Sequence, residues 1–317
     1  MTTIAVFGNW ASMPSADTLR AALPDDRIVA VQGDELGPAA EADAAFGGFS
    51  AERLRAVLAG MPRLRWVHTF SAGVDRHVPE MAAYERVQLT NNTGAYDVPI
   101  AEHVVAMLFA AAKRVPEHLA AQGRHEWQRE VPHAELRDAA LVILGMGSIG
   151  SELARLAVGL GMRVIGVRRD AGRPAPGVLR IVPPERFAEA AREADYLAVT
   201  AALTPQTRGM VSAEILRALK PTAWVINIAR GPIVDEAALA AALAERRIGG
   251  AALDVFETEP LPADSPLWSL DNAILTPHVS NSSPRVRERS LALVTENVRR
   301  FKAGESLLNL VDRAVGY

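Results

Sequence analysis

A short apolar run that leads directly into a glycine-rich turn and then a helix constrains this chain more than any other feature. Residues 141–144 are consecutive apolar side chains, typical of a parallel strand buried on both faces. The pattern G-x-G-x-x-G follows at once, at Gly145, Gly147 and Gly150. Apolar residues then recur at helical spacing over 153–160. The order of strand, glycine turn and helix predicts a doubly wound α/β domain.

Each glycine has a separate task if the turn binds a dinucleotide. Gly145 permits the tight turn, Gly147 lets the backbone approach the phosphates, and Gly150 lets helix and strand pack closely. The free N–H groups at the start of the helix, around Ser148 and Ile149, then face an anion. S-adenosylmethionine and flavin proteins use related glycine patterns, but the flanking strand and helix favour a nicotinamide dinucleotide.

Two arginines end the next apolar run and indicate which dinucleotide binds. An NAD site of this type has Asp or Glu about 20 residues past the glycines, where it binds the ribose 2′-hydroxyl. Here Arg168 lies 18 residues after Gly150 (168 − 150), and Arg169 follows it. A guanidinium binds a 2′-phosphate bidentately, so we predict a preference for NADP(H) over NAD(H). A solvated arginine pair, with Asp170 serving the ribose of NAD(H), is the alternative.

Length and composition indicate two domains and exclude several classes of protein. A chain of 317 residues exceeds one typical domain, so two are expected. The net charge of −3 argues against a nucleic-acid or membrane-surface role. The absence of cysteine excludes thiol nucleophiles, disulfides and cysteine-ligated zinc, and no histidine has metal-ligand spacing with Asp or Glu. With no signal peptide or membrane-spanning run in the sequence, the expected location is the cytoplasm.

Strands alternate with helices along most of the chain, which predicts parallel sheets covered by helices. Residues 101–115 are apolar nearly all round and predict a buried helix between domains or at a subunit interface; we expect a homodimer through 98–115. A long amphipathic helix over 285–301 is expected to return to the first domain. Trp66, Trp224 and Trp268 are predicted core residues. The predicted strands are 4–8, 27–31, 64–69, 87–90, 140–144, 163–167, 195–200, 223–228, 250–255 and 272–276.

Three polar side chains lie at the ends of successive predicted strands in the dinucleotide-binding part. They are Arg230, Glu259 and His278. Ligands of open α/β sheets bind at the carboxyl ends of the strands, so these three residues are expected to act together. Singly, each has an ordinary alternative as a surface ion-pair partner, a loop acid or a packed histidine.

With the glycine turn, these residues make the chain resemble the D-isomer-specific 2-hydroxyacid dehydrogenases. Residues 71–75 are similar to the family's substrate loop and 94–103 (GAYDVPIAEH) to its interdomain segment. Segments 265–268 and 311–317 are most similar to the glyoxylate/hydroxypyruvate reductase branch. The resemblance implies two doubly wound (Rossmann/flavodoxin-like) domains with the active site in the cleft between them. The expected domains are 1–97 with 284–317 for substrate, and 98–283 for the dinucleotide.

The reduction of a 2-oxo acid requires carboxylate binding and proton donation, and Arg230, Glu259 and His278 suit these roles. Arg230 suits the substrate carboxylate, with backbone N–H groups near Gly73 and Val74. His278 suits proton donation to the carbonyl oxygen, because imidazole ordinarily titrates near neutral pH. Glu259 would accept a hydrogen bond from the other imidazole nitrogen and fix its tautomer. Reduction would then be favoured where His278 is protonated, and oxidation at higher pH.

The resemblance implies further contacts with the cofactor and the substrate. Asp254 would bind the nicotinamide carboxamide, Thr207 would lie near the phosphates, and Leu203 would lie against the adenine. Ala229 and His278 complete the predicted cofactor contacts. The substrate pocket is expected to include a glycine-containing loop at 45–49, with Phe49, and residues near Tyr96 and Trp268.

Two other functions remain open from the sequence. A dinucleotide-sensing corepressor would keep the cofactor site without turnover. A formate-dehydrogenase-like protein would share the fold, although Glu259 speaks against it because formate oxidation needs no proton donor to a carbonyl. The pocket suits 2-oxo acids larger than glyoxylate, and a sugar-derived acid also remains open.

Overall fold

The chain folds into two α/β units, each built on a parallel sheet. The computed structural model describes residues 1–8, 13–33 and 35–317. One unit comprises Met1–Tyr96 with Ser282–Tyr317, and the other comprises Asp97–Asn281. The predicted fold class, two doubly wound parallel-sheet domains, is confirmed.

The sheet of the first unit has five parallel strands in the order β2-β1-β3-β4-β5, a doubly wound arrangement. Its core forms where β1 and β3 pack on the last helix, with Val294 and Val298 fully enclosed beside Trp66. The strands are β1 (Thr3–Phe7), β2 (Arg27–Val31), β3 (Ala44–Gly47), β4 (Trp66–Thr69) and β5 (Gln88–Thr90); the helices are α1 (Ala16–Ala22), α2 (Ala51–Gly60) and α9 (Val286–Ala303).

The sheet of the second unit has seven parallel strands in the order β12-β11-β10-β9-β6-β7-β8. The strand order reverses between β6 and β9, the kind of position at which such sheets bind ligands. The strands are β6 (Ala140–Leu144), β7 (Arg163–Val167), β8 (Arg180–Val182), β9 (Tyr196–Val199), β10 (Trp224–Asn227), β11 (Gly250–Leu253) and β12 (Ala273–Leu275); the helices are α3 (Asp97–Ala112), α4 (Val115–Gly123), α5 (Ser148–Gly159), α6 (Phe187–Ala191), α7 (Ala213–Ala218) and α8 (Glu236–Ala244).

One predicted loop is instead a central strand. Residues 45–49 were expected to form a loop at the pocket wall, but 44–47 form β3, which pairs with β1 and β4. Phe46 is fully buried, with its ring centroid 4.7 Å from that of Trp66. Alanine and glycine have low strand propensity, yet they fit between closely packed neighbours here. A Cβ at Gly47 would lie 2.8 Å from the Cβ of Phe7.

Trp66 and Trp224 are buried as predicted, but the prediction for Trp268 is wrong. Trp268 is 57% exposed and donates its indole N–H to the Pro262 carbonyl at 2.9 Å. It lies in the short 3₁₀ helix Pro266–Ser269, which buries only Leu267. A turn with three residues per revolution presents one side chain inward, and Leu267 takes that place.

No helix within the described residues is long and apolar enough to cross a membrane.

Candidate active site

The turn between β6 and α5 has the geometry of a phosphate-binding loop. Gly145 has a φ of +103°, and a Cβ there would lie 2.5 Å from the backbone of Ala201. A Cβ at Gly150 would lie 2.0 Å from the carbonyl oxygen of Gly145. At Gly147, by contrast, a Cβ would meet nothing within 4 Å. Packing therefore requires two of the glycines, and the third leaves the backbone open to an approaching anion.

Helix α5 begins at this turn without a side-chain cap. Gly147 occupies the N-cap position and supplies no side-chain acceptor. The first N–H groups of a helix need acceptors, and the helix dipole favours a negative one. Ser148 and Ile149 begin the helix, and the Ser148 hydroxyl donates to Asp97 Oδ1 at 3.0 Å. A dinucleotide pyrophosphate fits this helix end.

The end of β7 carries a guanidinium with one unsatisfied nitrogen among the described residues. Arg168 donates from Nε to the Asp170 carbonyl oxygen at 2.8 Å. Its Nη2 is buried and has no hydrogen-bond partner among the residues that the structure describes. A buried charged donor without an acceptor is costly, so this atom is suited to receive a ligand oxygen. Arg169 follows and is exposed.

The threonines of the loop after β9 form hydrogen bonds within that loop. Thr207 donates its hydroxyl to the Ala202 carbonyl at 2.7 Å and accepts from the Thr204 N–H at 2.8 Å. Leu203 is half-buried in the same loop. Cofactor contacts by Thr207 and Leu203 stay predictions.

Strand β10 delivers Arg230 to the carboxyl edge of the sheet. Asn227, at the end of β10, shapes this turn: its amide donates to the Arg230 carbonyl at 3.0 Å and its oxygen accepts from the Ala229 N–H at 3.1 Å. The Arg230 guanidinium donates to the Ala229 carbonyl at 2.7 Å. Sequence reasoning missed Asn227, although a buried amide at a strand end is a signal for such a turn.

Gly231 brings this turn against the loop after β11. A Cβ on Gly231 would lie 1.9 Å from the carbonyl carbon of Phe256. Only glycine allows such a backbone approach. The Arg230 turn and the loop that carries Glu259 are therefore packed together.

Glu259 and His278 form a hydrogen-bonded pair. The Nδ1 of His278 lies 2.7 Å from Glu259 Oε2, and Glu259 Oε1 accepts from the Phe256 N–H at 3.1 Å. The side chains are 40% and 29% exposed, so the pair is accessible from solvent. With Nδ1 directed at a carboxylate, Nε2 is the atom left to exchange a proton with a ligand. In the strand order β12-β11-β10, His278 follows β12 and Glu259 follows β11. Arg230 follows β10, the strand next to β11.

Asp254 organises the backbone around His278. Its carboxylate accepts from the Thr276 hydroxyl at 2.6 Å and from the N–H groups of Val279 and Ser280, each at 2.9 Å. Its carbonyl oxygen accepts from the His278 N–H at 2.8 Å. His278 itself has a φ of +54°, a left-handed conformation unusual for a side-chain-bearing residue. The sequence predicted only a contact of Asp254 with the nicotinamide carboxamide, and did not predict that Asp254 holds the backbone around His278.

The predicted substrate residues of the first unit lie in and beside the loop at 71–75. The Ser71 hydroxyl donates to the Gly73 carbonyl at 2.8 Å, and Val74 is buried. Phe49 packs on Phe7, with ring centroids 5.4 Å apart. Tyr96 is also buried and donates its hydroxyl to the Phe70 carbonyl at 2.5 Å.

No group of three His, Cys, Asp or Glu side chains in residues 1–8, 13–33 and 35–317 is arranged to hold a metal ion.

Comparison with known proteins identifies the family. A sequence profile described as D-isomer specific 2-hydroxyacid dehydrogenase, NAD binding domain, matches residues 105–280. A glyoxylate reductase from Korarchaeum cryptofilum is 37% identical over 267 residues, which cover 82% of this chain and 79% of that protein. A glyoxylate reductase from Aeropyrum pernix is 36% identical over 290 residues, covering 88% and 86%.

Two solved structures are similar over the whole chain. A D-isomer specific 2-hydroxyacid dehydrogenase from Xanthobacter autotrophicus, in complex with NADPH, has a TM-score of 0.88, 32% identity and full coverage of both chains. An NADPH-dependent glyoxylate/hydroxypyruvate reductase from Sinorhizobium meliloti, in complex with NADP, has a TM-score of 0.88 at 28% identity, also with full coverage. The chain thus belongs to the D-isomer specific 2-hydroxyacid dehydrogenases, NAD(P)-dependent oxidoreductases that act on a CH–OH group.

Proposed function

We propose that the protein is an NADP(H)-preferring reductase of small 2-oxo acids that forms the corresponding D-2-hydroxy acids. The observation that carries the proposal is the 2.7 Å contact between His278 Nδ1 and Glu259 Oε2, beside the strand end that bears Arg230. It combines an oriented proton donor with a neighbouring cation, which is what reduction of a carbonyl next to a carboxylate requires.

Arg230 binds the substrate carboxylate in this proposal. A guanidinium matches the two oxygens of a carboxylate, and holding them orients the adjacent carbonyl. The backbone N–H groups of Gly73 and Val74, with the buried side chains of Phe49 and Tyr96, are the proposed substrate contacts of the first unit.

His278 transfers the proton. A nicotinamide would, when bound, supply the hydride for the carbonyl carbon. Nε2 of His278 would give its proton to the carbonyl oxygen, which gains the electron pair of the C=O bond. Glu259 keeps the ring oriented and stabilises its charged form through Nδ1. In the oxidation direction, His278 accepts the proton from the hydroxyl.

Arg168 and Arg169 select NADP(H). The unsatisfied Nη2 of Arg168 supports this selection, because a 2′-phosphate oxygen would satisfy it. The two solved relatives named above contain NADPH or NADP. Ser148, Ile149, Leu203, Thr207, Ala229 and Asp254 complete the proposed cofactor contacts.

The protein acts as a homodimer in this proposal. Four large apolar side chains with substantial exposure fall within one stretch of the second unit: Phe109, Val115, Leu119 and Trp127. Such a concentration on α3, α4 and the following loop is typical of a surface that another subunit covers.

Initial rates with NADPH and NADH test the function, with glyoxylate, hydroxypyruvate, pyruvate and phenylpyruvate as substrates. We expect higher kcat/KM with NADPH, and loss of about 10- to 100-fold in that value for Arg168→Ala, with little change for NADH. Arg173→Ala, which removes another exposed arginine of the same unit, is the matched control. A preference for NADH in the wild type would contradict the cofactor proposal.

His278→Asn tests the proton donor separately. We expect turnover to fall by about 10²- to 10⁴-fold, while the Kd for NADPH, measured by fluorescence titration, changes by no more than about threefold, because His278 is only one of many predicted cofactor contacts. Absence of turnover by the wild type with all four oxo acids, despite binding of a dinucleotide, would favour a binding protein over an enzyme.

A further inference from the structure

The hydroxyl of Ser148 is already engaged at the helix end where a dinucleotide pyrophosphate is expected. Ser148 is the first residue of α5, and its Oγ donates to Asp97 Oδ1 at 3.0 Å. Both residues lie in the second unit. A carboxylate therefore stands within hydrogen-bond distance of the proposed phosphate-binding helix end.

A hydroxyl group has a single hydrogen to donate. Phosphate oxygens of a dinucleotide only accept hydrogen bonds at neutral pH, as does the Asp97 carboxylate. Ser148 can therefore serve one of them at a time as a donor. A hydrogen bond from the Ser148 hydroxyl to the pyrophosphate therefore requires the hydroxyl to leave Asp97.

The position of Asp97 strengthens this competition. Asp97 is the first residue of α3, which packs along α5. The starts of two helices thus lie close together, and the positive end of each dipole favours an anion. The carboxylate of Asp97 already neutralises part of the positive potential at these two helix starts. A phosphate bound beside it is repelled, because both groups are negatively charged.

We propose that Asp97 lowers the affinity of the protein for its dinucleotide by competing with the pyrophosphate for Ser148 and for the start of α5. The effect is the same for NADPH and NADH, because the pyrophosphate is common to both. Asp97 thereby speeds release of the oxidised cofactor after each turnover. This inference rests on the proposed function, since it presupposes that a dinucleotide binds at this turn.

Equilibrium titration of nicotinamide fluorescence tests the proposal without catalysis. For Asp97→Asn we expect the Kd values for NADPH and NADH to fall together, by about 3- to 30-fold, as expected for removal of a like charge near the surface. Stopped-flow measurement should show slower dissociation of both. Glu102→Gln is the matched control: it removes one negative charge from an exposed position on the same helix, and its Kd values should stay within about twofold of wild type.

A double-mutant cycle tests the hydrogen bond itself. Ser148→Ala should weaken binding of both dinucleotides less in the wild type than in the Asp97→Asn background, because in the wild type the hydroxyl gives up Asp97 to reach the phosphate. In the Asp97→Asn background the same substitution should weaken binding severalfold, since the hydroxyl is then more available to the phosphate. Thermal unfolding of each variant verifies that the fold is kept.

Several results would overturn the inference. Unchanged or weaker binding by Asp97→Asn would show that Asp97 does not compete with the ligand. A change for NADPH alone would assign Asp97 to the 2′-phosphate, and equal tightening by Glu102→Gln would reduce the effect to overall charge. Each of these leaves the proposed function standing, whereas a wild type that binds neither dinucleotide would overturn both.

Discussion

His278 is held from two directions. Its backbone is fixed in the left-handed region by the Asp254 carbonyl, and its ring is fixed by Glu259. A non-glycine residue in this region costs on the order of 1 kcal/mol or more, which surrounding interactions must offset. The carboxylate of Asp254 provides them through residues on both sides of His278. The orientation of the imidazole is therefore set before any substrate binds.

Glu259→Gln removes the negative charge and keeps the size of the side chain. The amide can no longer stabilise a charged imidazole, and its NH2 group can turn towards Nδ1 and favour the wrong tautomer. We expect kcat for reduction to fall by about 10²-fold or more, with an unchanged Kd for NADPH. The pH profile of kcat should change as well, which a purely structural role would not explain.

Glu257→Gln is the control for this substitution. Glu257 is an exposed acid in the same loop, and its backbone N–H is held by Glu236 at 2.9 Å. Rates close to wild type are expected. Equal losses for the two variants would mean that Glu259 acts through the fold of the loop and not through His278.

At the scale of elements, the turn between β6 and α5 separates glycines needed for packing from the one needed for binding. Gly150→Ala places a methyl group 2.0 Å from the Gly145 carbonyl oxygen, so we expect destabilisation of about 1 to 3 kcal/mol. Gly147→Ala meets no neighbour within 4 Å, so stability should be close to wild type. Its methyl group occupies the expected phosphate approach, however, and the Kd for NADPH should rise about tenfold or more.

Thermal unfolding without ligand and fluorescence titration distinguish the two variants. Unaltered NADPH affinity in a folded Gly147→Ala protein would contradict the location of the pyrophosphate at this turn.

The elements that the sequence predicted well are those with a strong local signal. Residues 141–150 carry apolar residues, glycines and helical spacing in one stretch, so strand, turn and helix could all be predicted. β3 was missed because Ala44–Gly47 consists mostly of small residues, and its pairing with β1 and β4 is a tertiary effect. β8 was missed because Arg180–Val182 is a three-residue edge strand without alternation.

The candidate active site shows the same contrast between residues with a strong local signal and contacts that depend on the tertiary structure. The positions of Arg230, Glu259 and His278 at neighbouring strand ends could be predicted because each polar side chain follows an apolar run, and their catalytic roles stay predictions. The contacts of Asp254 with Thr276, Val279 and Ser280 could not, since they depend on the conformation of a loop across the sheet edge.

At the scale of the whole molecule, the first unit contains a buried titratable group that catalysis does not use. His68 is fully buried, and its Nδ1 lies 2.8 Å from Thr90 Oγ1, which also accepts from the Trp66 indole N–H. Burial lowers the pKa of His68 to about 3, and the nearby side chain of Asn92 opposes this only in part. His68 is thus neutral in the folded protein wherever an exposed histidine would be protonated.

Acid should therefore destabilise the first unit. Below pH 6.5 the unfolded chain binds a proton at His68 that the folded chain does not bind, until the pH approaches 3. The contribution of His68 is complete above pH 6.5 and is lost as pH falls, by up to about 1.4 kcal/mol per pH unit. Denaturant unfolding at several pH values measures the slope, and hydrogen exchange should place the loss in residues 1–96 and 282–317.

His68→Gln should flatten this slope, although it lowers stability at pH 7. The control is His125→Gln, at an exposed histidine. The same slope in both variants would assign the acid sensitivity to other groups.

Assembly is a second property of the whole molecule. Phe109 is 40% exposed on α3, within the apolar stretch proposed as a subunit interface. Phe109→Glu places a charge there, and burying it unpaired is costly. We expect light scattering to show a dimer for the wild type and a monomer for this variant, with little change for Glu214→Gln, at an exposed acid outside that stretch. A monomeric wild type would contradict the interface.

The backbone contact at Gly231 also limits how this enzyme can evolve. Because a Cβ there would lie 1.9 Å from the carbonyl carbon of Phe256, the loops that present Arg230 and Glu259 cannot be moved apart or together independently. In the proposed mechanism, one backbone contact therefore fixes the distance between the arginine that binds the carboxylate and the acid that orients the proton donor. Substitutions that change which oxo acid is accepted would have to lie in other segments, and they would leave that distance unaltered.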